Sequence, residues 1–261
     1  MSSLEPYSVY AIRYATLHKR ASENFVGGDP HDGPMPMDYF VWAAVSKSKT
    51  WIIDTGFNAA MAQQRKREFL RCPTDGLKLL GIDAKKVEDV IVTHLHYDHI
   101  GNFDLFPSAR FHLQDSELAY ATGRHMRNAF LAGAYEVDEV VGIVRKVYAG
   151  RVEFHDGDVQ LAPNLSLHLI GGHTKGLQVV RLWTKQGWMV LASDASHYYA
   201  NMNEGRPFPV VLDVGAMVDG WRKLHTLADA PELIIPGHDP AVMKQFPAAS
   251  KKTKGIVARL A

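Results

Sequence analysis

Thr93-His94-Leu95-His96-Tyr97-Asp98-His99-Ile100-Gly101-Asn102 is the stretch on which the reading of this chain turns. It sets three imidazoles and one carboxylate in the six positions 94–99, directly after the apolar, β-branched run Val90-Ile91-Val92. A strand that ends in such a cluster delivers several nitrogen and oxygen donors to one point. Neutral imidazole and carboxylate are the usual ligands of Zn²⁺ and related first-row ions. A histidine-rich surface loop would not come with partner ligands in matching contexts, and this cluster does.

The partners follow in order. Gly171-Gly172-His173-Thr174 comes after the apolar run ending at Ile170, Asp194 closes Trp188-Met189-Val190-Leu191-Ala192-Ser193, and Pro236-Gly237-His238-Asp239 follows Leu233-Ile234-Ile235. In each case a buried-looking strand runs into a small-residue turn that carries one donor. Glycine there lets the backbone turn sharply and approach an ion closely. Several strand ends converging on one point form a metal-centre signature.

On these residues the chain resembles the metallo-β-lactamase superfamily, with its His-x-His-x-Asp-His motif and a later His, Asp and His. The resemblance runs from Asp54-Thr55-Gly56 to His238. It implies that His94, His96 and His173 hold a first ion, that Asp98, His99 and His238 hold a second, and that Asp194 bridges both. Asp54 would support the ligands from behind. The implied fold is α+β, a four-layer αβ/βα sandwich with the metals at one edge. The implied cofactors are two divalent ions, with zinc expected.

Within the superfamily, His-Leu-His-Tyr-Asp-His-Ile-Gly-Asn and the spacing to Gly172-His173-Thr174 are similar to the N-acyl-homoserine-lactonase branch. That resemblance implies a binuclear hydrolase that opens a lactone, or a related cyclic ester or amide, by attack of a metal-bridging hydroxide, with Asp98 orienting the nucleophile. One departure stands out. The resembling lactonases carry a Tyr three residues after the bridging Asp, where this chain has His197, followed by Tyr198. His197 and Tyr198 are therefore the candidates for assisting the leaving group, and the departure favours a related, aromatic lactone or cyclic amide over an acyl-homoserine lactone. A glyoxalase II-like thioesterase, an iron-dependent persulfide dioxygenase and a non-catalytic binding protein remain open alternatives.

Composition sets the frame. A chain of 261 residues, 46% of them hydrophobic, can bury one sizeable core. We read residues 1–261 as one domain with a helical insertion around 116–150. The formal charge of +1 offers no basic footprint for nucleic acid or acidic lipid. Cys72 is the single cysteine, so no internal disulfide forms. No leader pattern opens the sequence at Met1-Ser2-Ser3-Leu4, and no apolar run reaches membrane-spanning length. These features point to a cytoplasmic protein with a small-molecule partner; a homodimer is left open.

Patterning predicts strands over Tyr7–Leu17, Tyr39–Val45, Thr50–Ile53, Val152–Phe154, Val159–Leu161, Leu165–Ile170, Gln178–Thr184, Trp188–Ala192 and Leu233–Ile235. Helical periodicity covers Ala59–Phe69, Thr74–Leu80, Ser116–Arg127, Ala129–Val147 and Val214–Leu227. The Gly- and Pro-rich segment Ala21–Met37 and the segment His197–Pro209 are expected to form the substrate entrance. Phe25, Tyr39, Tyr199 and Phe208 are the candidate substrate contacts. His112, His155, His168 and His225 are expected to pack or to lie on the surface.

Overall fold

A computed structural model describes residues 4–261; the start of the N-terminal reading, Met1-Ser2-Ser3, lies outside the described residues. The strands are β1 Ser8–Leu17, β2 Met37–Val45, β3 Thr50–Ile53, β4 Glu68–Phe69, β5 Asp89–Ile91, β6 Arg110–Gln114 and β7 Val152–His155. They continue with β8 Val159–Ala162, β9 Leu165–Leu169, β10 Gln178–Thr184, β11 Gly187–Ser193, β12 Ile234–Pro236 and β13 Val257–Arg259. An eight-stranded sheet runs β13-β1-β2-β3-β5-β6-β7, with β4 paired to β1, and a five-stranded sheet runs β12-β11-β10-β9-β8. Both are mixed: β3, β5, β6 and β7 pair in parallel, as do β11 and β12, while the β1–β2, β9–β10 and β10–β11 pairs are antiparallel.

The alternation of β2 shows why two sheets form. Phe40, Trp42 and Ala44 face inward, onto Leu167, Val180, Leu182, Met189 and Leu191 of the other sheet. Tyr39, Val41 and Ala43 face outward, under Phe57, Leu77 and Ile100. Both faces of the strand are buried, so it reads as a nearly continuous apolar run rather than a polar–apolar alternation. The second sheet repeats the pattern, with Val179, Val190 and Ala192 packing outward against Met217, Trp221 and Leu224 of helix Val214–Leu227. Helix, sheet, sheet and helix form four layers, and the motif loops all leave the sheets at one end.

Several predicted elements differ in detail. The helix expected over Ala59–Phe69 stops at Gln64; Lys66 takes a left-handed φ of 55°, and Glu68–Phe69 pair with the outer part of β1. The helices expected over Ser116–Arg127 and Ala129–Val147 are broken into Asp115–Ala121, a 3₁₀ turn Arg124–Arg127, Ala129–Ala132 and Val137–Tyr148. The second break has a visible cause, because the Tyr97 N–H donates to the Ala134 carbonyl (2.9 Å), drawing residues 133–135 over the motif. Strands β6 and β13 and the helices Tyr199–Glu204 and Ala241–Gln245 were not expected from patterning. Among the described residues no helix is long and apolar enough to cross a membrane.

Candidate metal centre

The motif begins three residues beyond β5, where the chain leaves the sheet and enters the short helix Tyr97–Ile100. His94, His96, Asp98 and His99 are all buried there. Two further features carry Asp194 and His238 to the same place. Ser193 holds a left-handed φ of 45° at the end of β11, an unusual conformation for a residue with a side chain. Gly237 lies so close that an added Cβ would sit 2.8 Å from Asp194 Oδ1 and from the Ser193 backbone, so only glycine allows the ends of β11 and β12 to approach. On the remaining corner, Gly172 has φ 80° and would meet the Met217 backbone nitrogen at 2.6 Å, which fixes His173 against the start of the last long helix.

The structure brings all seven predicted ligands together. His94, His96, His173 and Asp194 form one group, and Asp98, His99 and His238 a second, with the donor atoms of each group within 4.8 Å of one another. Asp194 stands between them. Its Oδ2 lies 3.2 Å from His173 Nε2 and 3.8 Å from His94 Nε2; its Oδ1 lies 3.0 Å from His238 Nε2 and 3.3 Å from His99 Nε2. Asp98 Oδ2 is 3.6 Å from His99 Nε2 and 3.7 Å from His238 Nε2.

Four of the five ligand imidazoles are held from their far side, while His96 Nδ1 faces His173 Nε2 (3.0 Å). His99 Nδ1 is paired with Asp54 Oδ2 (2.7 Å), His173 Nδ1 with the Val210 carbonyl (2.7 Å), His238 Nδ1 with the Asp38 carbonyl (2.9 Å) and His94 Nδ1 with Thr93 Oγ1 (3.1 Å). Such partners fix the tautomer and aim Nε2 inward. The inward atoms His94 Nε2, His99 Nε2 and Asp194 Oδ1 are buried without a hydrogen-bond partner. Several orphaned donors converging on one space fit a divalent cation, which meets their demand at once.

The electrostatics divide the imidazoles: burial would lower His99 and His238, but Asp194 outweighs it and holds both above the usual histidine range. Burial pushes the His94 and His96 imidazoles well below the usual histidine range, which keeps them neutral and able to bind. Burial alone would raise the Asp194 carboxyl, but His197, His238, His99 and His173 outweigh it and hold it well below the usual carboxylate range. Burial raises Asp54, with His99 opposing. Asp54 itself has a left-handed φ of 62°, and its Oδ1 also accepts from the Thr93 N–H (2.7 Å).

The centre forms the floor of a cavity of about 310 Å³. Of the residues picked from the sequence other than the metal ligands, Tyr39, His197 and Phe208 line it. His197 stacks on Phe208 with ring centroids 3.7 Å apart, and its Nε2 lies 3.0 Å from Asp194 Oδ2. Burial lowers this imidazole to about 3, with Asp194 opposing, so it is neutral.

The remaining candidates lie elsewhere. The Tyr198 hydroxyl donates to the Pro36 carbonyl (3.3 Å), and the ring is buried behind Phe208 rather than facing the cavity. Tyr199 packs into the hydrophobic layers on both faces of the second sheet. Phe25 lies beneath the Arg206 guanidinium, 3.9 Å from its ring centroid. The expected entrance is accordingly only partly met: segments 21–37 and 197–209 contribute Met37, His197 and Phe208, while Lys19, Arg65, Arg67, Phe130, Tyr135 and Val210–Leu212 are among the other lining residues.

One residue at the site was missed. Glu117 is fully buried and accepts from the Leu95 N–H (3.0 Å), the Tyr135 hydroxyl (3.0 Å), the Thr174 hydroxyl (2.7 Å) and the Gly176 N–H (3.0 Å). It ties the loop bearing His94 and His96 to the loop bearing His173. In the sequence it is an acidic residue in the first turn of a helix, a position acids favour for the helix dipole alone.

His112 and His155 are buried, as expected, and stack on each other beside Asp89, away from the centre.

The site and the sandwich that carries it define a class: a metal centre built on the ends of two facing sheets. The chain belongs to the metallo-β-lactamase superfamily, whose model matches residues 36–238. It is similar to the N-acyl homoserine lactonase AttM of Azorhizobium caulinodans, 31% identical over 178 residues, and the match covers 65% of this chain and 65% of that protein. It is also similar to an N-acyl homoserine lactonase of Bacillus thuringiensis, 27% identical over 167 residues, with 62% of this chain and 60% of that protein covered. The matched stretch thus spans less than two thirds of these relatives. Among solved structures, a quorum-quenching N-acyl homoserine lactone lactonase superposes with a TM-score of 0.78 at 20% identity, covering 95% of this chain and 98% of the other. AidC, a dizinc quorum-quenching lactonase, superposes with a TM-score of 0.70 at 18% identity, covering 91% and 89%.

Proposed function

We propose that this protein is a binuclear, zinc-dependent hydrolase that opens a lactone ring. The observation that carries the reading is Asp194, whose two carboxylate oxygens face two separate sets of imidazoles at the floor of a cavity. His94, His96 and His173 would hold one ion, Asp98, His99 and His238 the other, and Asp194 would bridge them. The imidazole–carboxylate donor set suits zinc, and AidC is a dizinc enzyme. When bound, such an ion pair supplies a Lewis acid for the carbonyl oxygen and a water ionised near neutral pH.

The protein's own residues do the rest. Asp98 and Asp194, whose oxygens face the imidazole groups, would orient the nucleophile. Tyr14 holds that geometry from behind, donating its hydroxyl to the Asp98 carbonyl (2.7 Å). The nucleophile's oxygen adds to the acyl carbon, the bond from that carbon to the ring oxygen breaks, and the proton passes to the departing oxygen, leaving a hydroxy acid. His197 would serve that departing oxygen, since it lines the cavity and its Nε2 lies 3.0 Å from Asp194 Oδ2 at the floor.

Metal-replete protein is expected to contain about two ions per chain and to open lactones faster than it cleaves acyl-glutathione thioesters or β-lactams. Chelation should abolish turnover and lower Tm together, because an ion held only by the folded state stabilises that state. A single tightly held ion would overturn the binuclear assignment. Preferred turnover of acyl-glutathione, or thiol-dependent oxygen uptake with iron, would overturn the lactonase assignment in favour of a thioesterase or a dioxygenase.

His197→Ala should reduce kcat by roughly 10²-fold while leaving metal content at wild-type level, the scale of an acid–base or hydrogen-bonding group acting on the reacting atoms. His197→Tyr should shift preference towards acyl-homoserine lactones. Wild-type kcat and KM in His197→Ala would remove the residue from the chemistry.

A further inference from the structure

The walls of the cavity carry more positive charge than the fold uses. Arg65 is answered within the fold: its Nε donates to Glu136 Oε1 at 3.0 Å. Arg67 and Lys19 are not, and among the described residues neither forms an ion pair with a carboxylate. Arg67 donates Nε–H to the Tyr97 hydroxyl (3.1 Å) and Nη1–H to the Arg65 carbonyl (2.7 Å), which leaves the Nη2 donors uncommitted. Lys19 Nζ donates to the Glu23 carbonyl (3.1 Å) and sits 4.6 Å above the Phe208 ring. Both side chains are only partly exposed and both line the cavity. Two half-buried cations near each other are costly unless an anion joins them. Burial lowers the Lys19 ammonium to about 8, with Glu23 opposing and Arg67 adding a smaller push in the same direction.

A short chain of contacts links these cations to the centre. Lys19 lies over Phe208, Phe208 stacks on His197, and His197 touches Asp194. Arg67, in the same lining, bonds Tyr97, the neighbour of Asp98 in the chain. A compact molecule with its carbonyl at the metal floor would share the cavity with both cations. The cavity volume of about 310 Å³ is at the low end for ligand sites, which suits such a molecule better than a long acyl chain.

Resting on the lactonase reading above, we infer that the substrate is a compact lactone bearing an oxyanion, and that Lys19 and Arg67 are the residues that select it. A carboxylate or phosphonate between an ammonium and a guanidinium gains charge-assisted hydrogen bonds that a neutral substrate cannot make.

The test uses the metal-replete enzyme, a γ-lactone carrying a ring carboxylate, its neutral methyl ester and the corresponding phosphonate. The carboxylate lactone should exceed its ester in kcat/KM by ~10-fold or more, the scale of charge-assisted hydrogen bonds. That ratio should fall towards one in Lys19→Gln and in Arg67→Gln, chiefly through KM, with metal content retained. Lys19→Glu should invert it. The relative rates of carboxylate and phosphonate decide which oxyanion the site prefers.

Equal kcat/KM for acid and ester in the wild type, or a ratio indifferent to all three substitutions, would overturn the inference while leaving the lactonase reading intact. If no lactone is opened, the lactonase reading fails, and calorimetric binding of the same acid and ester still decides anion selection. Tighter binding of the acid, lost in Lys19→Gln, supports it; equal binding overturns it.

Discussion

Asp194→Asn is expected to drop metal content from about two ions per chain to one or fewer and to cut kcat/KM by more than ~10²-fold. Outer partners of metal ligands alone cost 10–100-fold, and a carboxylate shared by two ions must exceed that. The reason is positional. Oδ2 serves the side of His94 and His173, Oδ1 the side of His99 and His238, and a single amide oxygen cannot do both. Asp98→Asn is the control, since Asp98 faces only His99 and His238 and its loss should release a single ion. Elemental analysis with steady-state kinetics reads both. Two ions retained in Asp194→Asn, with turnover within ~10-fold of wild type, would end the bridging assignment.

The second large effect is expected at a residue that touches no ion. Glu117→Ala leaves four buried donors, from Leu95, Tyr135, Thr174 and Gly176, without their acceptor. At roughly 1–3 kcal/mol for each unsatisfied group, reduced by relaxation and water entry, a loss of about 3–5 kcal/mol follows. For a chain of this size that corresponds to a fall in Tm on the order of 10 °C. Metal affinity should fall by ~10–100-fold as well, because the loops bearing His96 and His173 are no longer tied together. Glu117→Gln, which keeps the shape and one oxygen, should lose distinctly less. Thermal unfolding of the metal-free and metal-loaded proteins separates the two effects. A Glu117→Ala protein that melts within about 2 °C of wild type would show that the carboxylate is dispensable.

Much of the site could be read from the chain because metal ligation is a local demand. A donor must be a His or an acidic residue, it must leave a strand end, and small residues must let the backbone turn. His173, Asp194 and His238 each meet these conditions within a few residues, and His94, His96, Asp98 and His99 follow one strand end together in a single motif. The core strands were legible for a related reason: β2 and β11 are buried on both faces, so they appear as nearly continuous apolar runs.

The walls of the cavity were not legible. Arg65 and Arg67 lie where a helix was expected to continue, and only the left-handed turn at Lys66 and the pairing of Glu68–Phe69 with β1 place them at the site. Tyr198 and Tyr199, next to His197 in the chain, look equally suited to touch substrate, yet helix Tyr199–Glu204 turns one ring behind Phe208 and the other into the core. Glu117 resembles an ordinary helix-start acid until four donors from three distant segments close on it. The sequence by itself determined which chemical groups meet, because ligand identity and strand ends are written within a few residues. The tertiary structure alone decided what surrounds them, since the walls come from segments far apart in the chain whose positions depend on how the helices break and pack over the sheets.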